Sequence, residues 1–269
     1  MNNRNLPNFY SQFNFYETTF IEPVYRYFPT LYFVPKVVSI FLQANDYAVK
    51  GNYNSRAWIE SSHRIIKALE KAGVKIEIEN INLMKNEKEP VIFVANHMST
   101  FETLAFPAII HPIKPVVFVM KSELVSVPIF GPVSAARYPI LVGRENPRED
   151  LQLVLEQGKS RIEEGKSIII FPQRTRSPFF KIKEFNTLGI KLAKKNNVKI
   201  QPIALLTDAW PNGKYVKDFG KIHNDKTIKF SFGEALEVEG NGTETHKKVT
   251  DFIKNKFYEW GRKDLVIED

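Results

Sequence analysis

The stretch Val91-Ile92-Phe93-Val94-Ala95-Asn96-His97-Met98-Ser99-Thr100-Phe101-Glu102 decides how the rest of the chain is read. Five apolar residues in succession, without alternation, describe a strand buried on both faces, as in the middle of a parallel sheet. The run stops at a histidine, and a carboxylate follows five positions later, where a helix is expected to start. A strand that delivers an imidazole to a loop, with an acid returning from the next element, can present a general base and its orienting partner. The residues leave a plainer reading open. A lone histidine at a strand end is often structural, and Glu102 can simply complement a helix dipole.

Outward from this stretch, apolar runs at 116–120, 138–142, 167–171 and 198–206 predict further strands, and alternation predicts another at 227–232. Helices are expected at 100–110, 149–164, 188–196 and 244–262, with Pro107 limiting where the first turn of the first can lie. Upstream, residues 55–72 read as a helix stopped by Gly73, residues 74–81 as a strand with one wet face, and 84–89 as a charged loop. From residue 91 the order strand, helix, strand, strand, helix, strand, helix, strand predicts an α/β fold. Its sheet would be mixed but largely parallel, flanked by helices, with loops gathered at the strand ends.

The 269 residues are 43% apolar, ample for a core, and lack cysteine, which excludes disulfides and thiolate chemistry. A formal net charge of +8 favours an anionic partner: nucleic acid, an acidic membrane surface or a phosphorylated substrate. The first residues lack the layout of a secretory signal, and the longest apolar stretch, 31–44, is too short to span a bilayer. Residues 8–47 are densely aromatic and poor in charge. They suit either a pair of amphipathic helices in a membrane interface or helices packed on the body of the protein. A boundary near residue 73 therefore divides an N-terminal helical, membrane-docking region (1–73) from an α/β domain (74–269).

Several chemistries are excluded. The five histidines are scattered and form no zinc-type spacing, and no Gly-x-Ser-x-Gly elbow occurs. Gly165-Lys166-Ser167 has the wrong residue upstream and precedes a strand, so it is not a phosphate-binding loop. No nucleic-acid-binding motif accompanies the positive charge. The arginines are more informative: Arg144 follows one predicted strand, and Arg174 and Arg176 follow another. Each alone suits a solvated surface; together on a shared rim they could converge on a phosphate as charge-assisted donors.

These residues carry a resemblance. Asn96-His97-Met98-Ser99-Thr100-Phe101-Glu102 resembles the NHxxxxD block of the glycerophosphate and lysophosphatidic acid acyltransferases, the PlsC-like family. Tyr138-Pro139-Ile140-Leu141-Val142-Gly143-Arg144 resembles the second block, GxxFIDR. Phe171-Pro172-Gln173-Arg174-Thr175-Arg176-Ser177 resembles FPEGTRS, and Ile200-Gln201-Pro202-Ile203-Ala204 resembles VPVAI. The four follow the family's order. Glu102 stands where Asp is usual, Gly143 where an acid is usual, and Gln173-Arg174 where Glu-Gly is usual.

The resemblance implies an O-acyltransferase of phospholipid synthesis, in which His97 takes the proton of an acceptor hydroxyl and Glu102 orients and charge-stabilises the imidazole. Arg144, Arg174 and Arg176, with Gln173 and Thr175, would bind the acceptor, a lysophospholipid such as 1-acyl-glycerol-3-phosphate. The acyl donor would be acyl-CoA or acyl-carrier protein, with no metal and no cofactor. Such an enzyme would sit on an anionic membrane surface at the cytoplasmic face, with no nucleic-acid partner. The alternative is a catalytically degenerate lipid-binding or scaffold protein on the same fold, suggested by the replacements at Glu102, Gln173 and Arg174.

Overall fold

The computed structural model describes residues 6–19, 23–143, 146–214 and 216–268. In chain order its strands are β1 (Phe15–Glu17), β2 (Lys75–Glu79), β3 (Ile92–Ala95), β4 (Val116–Lys121), β5 (Ile140–Val142), β6 (Ser167–Ile170), β7 (Phe180–Lys181), β8 (Ile200–Leu206), β9 (Thr227–Phe232) and β10 (Val266–Ile267). Its α-helices are α1 (Pro29–Val49), α2 (Ser55–Lys71), α3 (Leu83–Asn86), α4 (Phe101–Ile109), α5 (Phe130–Ala135), α6 (Pro147–Glu163), α7 (Leu188–Asn196) and α8 (Thr243–Glu259). Eight strands form one sheet in the order β1-β2-β9-β8-β3-β6-β4-β5, while β7 and β10 pair separately.

The run from β8 to β5 is wholly parallel, with Ile92 opposite Ile200 on one side and Ile168 on the other. β9 runs antiparallel to β8, and β2 lies parallel to β9. The sheet is thus mixed and largely parallel, with β3 in its interior as its uninterrupted apolar sequence predicts. Alternate residues of β3 serve opposite layers. Phe93 and Ala95 join a core with α1, α2 and α4, while Ile92 and Val94 join a core with α6, α7 and α8. Two glycines allow the second layer to close. A Cβ on Gly189 of α7 would lie 2.6 Å from Val94, and one on Gly158 of α6 would lie 2.6 Å from Leu192.

Pro107 lies in the second half of α4 rather than its first turn. Proline strains the ladder there, and a neighbouring helix repairs it. The Ser62 hydroxyl of α2 inserts between Leu104 and Ala108, donating to the Leu104 carbonyl and accepting from the Ala108 N–H at 3.0 Å. α4 therefore holds its start, which carries Glu102, on a firm base.

The expected division at residue 73 is crossed in two ways. β1 pairs antiparallel with β2, placing Phe15 opposite Glu79. Tyr10, Phe33, Val37 and Ile40 are buried in the same core as Ile228 and Phe230 of β9. The region expected to form an amphipathic pair yields one long helix, α1, which continues through Pro35 and lies against α2 and α5. Residues 84–86 of the expected charged loop (84–89) belong to the single turn α3 (Leu83–Asn86), with Met84 buried. No helix among the described residues is long and apolar enough to cross a membrane.

Candidate active site

Parallel strands end on the same rim, so β3, β6 and β8 deliver the segments that follow them to one place. Asn96 ties two of these ends together. Its side chain donates to the Leu205 carbonyl at 2.9 Å and accepts from the Leu205 N–H at 2.8 Å, extending the β3–β8 ladder one residue beyond the strand. His97 comes next, gripped by its own backbone from the β6 side. Its N–H donates to Gln173 Oε1 at 2.7 Å, and its carbonyl accepts from the Ser177 N–H at 2.9 Å. The imidazole stacks on Phe171, centroids 4.1 Å apart.

Glu102, in the first turn of α4, reaches back beneath His97. Its Oε1 accepts from His97 Nδ1 at 2.9 Å and from the N–H groups of Met98 and Ser99 at 2.7 and 2.8 Å. Its Oε2 accepts from the hydroxyls of Ser99 and Thr207 at 2.7 and 2.9 Å. A carboxylate with no exposed side-chain surface is costly unless its oxygens are fully partnered, and five donors meet that need here. Burial, the largest influence, pushes the Glu102 carboxyl up; the His97 imidazole and the Ser99 N–H and hydroxyl outweigh it and hold the carboxyl below its ordinary range. Glu102 is therefore an anion at neutral pH, and the extra methylene relative to Asp spans to both His97 and Thr207.

With Nδ1 committed to Glu102, Nε2 is the imidazole atom able to take a proton, and the His97 side chain remains 16% exposed. Ser99 is fully buried with its hydroxyl on Glu102, so it braces the acid and offers no nucleophile to His97. The arrangement is a base with its orienting acid, and among the described residues no protein hydroxyl is hydrogen-bonded to Nε2. That suits proton abstraction from a bound hydroxyl.

The remaining expected residues that are described, Gln173, Arg174, Thr175 and Arg176, follow β6 on the rim. Gln173 is buried, and its amide is engaged by the His97 N–H and, at 3.4 Å, by the Phe179 carbonyl. It thus holds the His97 loop from below, where a substrate contact was expected. Arg176 lies beside the dyad, its guanidinium bonded to the Thr100 hydroxyl and to Asp218. Arg174 and Thr175 are exposed, and the Thr175 hydroxyl accepts from Lys217 Nζ at 2.7 Å. Arg144 lies outside the described residues. β5, the strand before it, ends three strands from β3, roughly 14 Å across the sheet. Among the described residues no three His, Asp or Glu side chains gather where they could hold a metal ion.

Sequence reasoning missed Ser99 and Thr207 as braces, Thr100 and Asp218 as partners of Arg176, and Lys217 as the partner of Thr175. Thr207 had a faint signal: it is a polar residue directly after β8, on the rim shared with His97. Asp218 had none, because the loop that carries it has no periodicity.

Residues 75–206 match the family model described as Acyltransferase. The chain is 30% identical over 172 residues to the 1-acyl-sn-glycerol-3-phosphate acyltransferase of Pseudomonas aeruginosa, an alignment covering 64% of this chain and 63% of that protein. It is 26% identical over 224 residues to the lyso-ornithine lipid O-acyltransferase of Rhizobium meliloti, covering 74% and 73%. The matched region spans less than two thirds of the Pseudomonas protein, and 37% and 50% of similar acyltransferases from Chlamydomonas reinhardtii and Limnanthes alba. The fold is that of the 1-acyl-sn-glycerophosphate acyltransferase PlsC of Thermotoga maritima, with a TM-score of 0.67 at 19% identity over 88% of this chain and 96% of that one.

Proposed function

Because this chain belongs to the PlsC-like acyltransferase family through residues 75–206, we propose that it transfers a fatty acyl group from an acyl thioester to a hydroxyl of a lysophospholipid. The observation that carries this reading is the His97–Glu102 pair on the rim, with Arg176 three residues' reach away at Thr100. His97 Nε2 takes the proton of the acceptor hydroxyl as its oxygen attacks the thioester carbonyl. The tetrahedral intermediate then collapses, the C–S bond breaks, and the proton passes from the imidazolium to the departing sulfur. Glu102 stabilises the imidazolium throughout. One C–O bond replaces one C–S bond, and no acyl-enzyme forms.

Arg176 supplies charge for an acceptor phosphate, with Arg174 as a further donor from the same rim and Arg144, which lies outside the described residues, as the third arginine that the resemblance assigns to it. 1-Acyl-glycerol-3-phosphate is the acceptor that best suits this set, with acyl-CoA or acyl-carrier protein as donor. The test is transfer of a labelled acyl group by the purified chain in detergent, using both donors and a panel of lysolipids. Formation of phosphatidic acid at a rate well above the other products supports the reading; inactivity with every lysolipid defeats it and favours a lipid-binding scaffold.

Residues 1–73 dock the enzyme on an anionic membrane surface at the cytoplasmic face. α1 has two apolar stripes on nearly opposite sides. Phe33, Val37, Ile40 and Ala44 face the core, whereas Leu31, Val38, Leu42 and Val49 are exposed, Leu31 by 74%. A helix that is apolar on its outer face needs an apolar partner. The Leu31→Asp/Leu42→Asp double variant is expected to lower partition onto liposomes containing anionic lipid at least about tenfold, since each leucine contributes about 1.5–3 kcal/mol on burial. Unchanged flotation with the liposomes would count against docking through this face.

A further inference from the structure

In the loop after β8, the described residues 211–214 and 216–220 close on one another and lean on the rim. A Cβ on Gly220 would lie 2.0 Å from the Pro211 carbonyl oxygen, and one on Gly213 would lie 2.2 Å from that of Val216. Only glycine lets the two sides of this neck meet, and the Gly213 N–H closes it further by donating to the Lys217 carbonyl at 3.1 Å. Such a loop, with its ends in contact and its own internal bond, is a compact unit of its own. Polar contacts fasten it to the site. Lys217 reaches Thr175, Asn212 donates weakly to the Met98 carbonyl at 3.5 Å, and Asp218 reaches Thr100 and Arg176.

The Asp218 contact has a particular form. Its Oδ1 accepts at once from the Thr100 hydroxyl, at 2.8 Å, and from Arg176 Nη1. The Arg176 side chain is 15% exposed, while that of Asp218 is 53% exposed. One anionic oxygen held between a guanidinium N–H and a hydroxyl is the arrangement a phosphate oxygen takes at such a site. Thr100 lies three residues after His97, so an anion seated there is anchored beside the base. We infer, on the acyl-acceptor reading above, that Thr100 and Arg176 form one seat for the acceptor's phosphate monoester, and that Asp218 fills this seat until the acceptor displaces it.

Charge decides the exchange. A phosphate monoester brings nearly two negative charges and three oxygens to a guanidinium that Asp218 engages through one nitrogen, so it outbids the carboxylate. Asp218 cannot remain beside it, since the two anions repel. A half-exposed ion pair is held only weakly, so Asp218 occupies the seat without sealing it. The acceptor's apparent dissociation constant then equals its intrinsic value divided by the fraction of molecules with Asp218 withdrawn.

Removing the charge of Asp218 should therefore improve acceptor binding. In the full chain, Asp218→Asn is expected to lower the acceptor KM about three- to tenfold with kcat kept within about twofold, as the population argument requires. Asp218→Glu, which restores the charge, should return KM toward wild type, while Thr100→Val should raise it. The donor KM should not move in any of the three. A second arm titrates glycerol 3-phosphate into the same proteins by calorimetry: tighter binding by Asp218→Asn than by wild type supports the seat, and equal or weaker binding overturns it. This titration decides the inference whether or not acyl transfer is observed, so failure of the acyltransferase reading remains distinct. In the kinetic arm, an acceptor KM unchanged or raised by Asp218→Asn overturns the inference while leaving that reading intact.

Discussion

Replacement of His97 by alanine is expected to lower kcat for acyl transfer by about a thousandfold or more, the upper part of the range for loss of a positioned general base. The loop should survive the change. Its N–H and carbonyl at position 97 remain bonded to Gln173 and Ser177, and Glu102 keeps four of its five donors. The main structural loss is the face-to-face contact with Phe171. Thermal unfolding should therefore shift little, and liposome binding, which we assign to the outer face of α1, should not change. Rate and stability measured on the same preparation separate the two effects. A His97→Ala protein that transfers acyl groups as fast as wild type would end the assignment of the base.

The contrast with a scaffold lies in what surrounds His97. A degenerate site has no need to keep a fully buried carboxylate ionised against an imidazole, because a buried pair of that kind adds little stability over apolar packing. Here Met98, Ser99 and Thr207 all turn donors toward Glu102. Two of the three substitutions that argue for degeneracy are absorbed, those at Glu102 and Gln173. Glu102 uses its longer arm to reach Thr207, and Gln173 replaces a charge with an amide that the His97 N–H engages.

The elements legible in the sequence were those long enough to show a period. β3, β4, β6 and β8 are apolar runs, α2 and α8 have clear amphipathic spacing, and together they are sufficient for a largely parallel sheet. β1, β7 and β10 hold two or three residues each, too few for any period, so their pairing is purely tertiary. The site divides in the same way. His97 and Glu102 are five residues apart and were visible together; Thr207 meets Glu102 across 105 positions and Asp218 meets Thr100 across 118, contacts that only the strand order creates. Gln173 was read as facing substrate because the resemblance assigns the third block to the acceptor. The structure turns that one side chain inward, where the His97 N–H would otherwise be unpaired.

Glu102 permits a sharper experiment than its removal. In Glu102→Gln the amide oxygen can still accept from His97 Nδ1–H and from the N–H groups of Met98 and Ser99, so the tautomer is kept. The amide NH2 replaces Oε2 and donates to the Ser99 and Thr207 hydroxyls, which rotate to accept. Shape and hydrogen bonds survive, and only the negative charge beneath the imidazolium is lost. That loss is expected to lower kcat about a hundred- to a thousandfold with KM little changed, less than the roughly ten-thousandfold seen where a comparable change also reverses the tautomer. Glu102→Ala serves as the contrast, because it strands the buried N–H groups of Met98 and Ser99 and should cost about 3 kcal/mol of stability or more. Linkage gives an independent check. A carboxyl held below its ordinary value of 4.5 contributes stability that is complete above that pH and is lost as pH falls through the lower folded value. The stability gap between wild type and Glu102→Gln should therefore be widest near neutrality and narrow in acid. A gap independent of pH, or a Glu102→Gln protein with wild-type kcat, would mean that the carboxylate holds the loop in shape without stabilising the protonated His97.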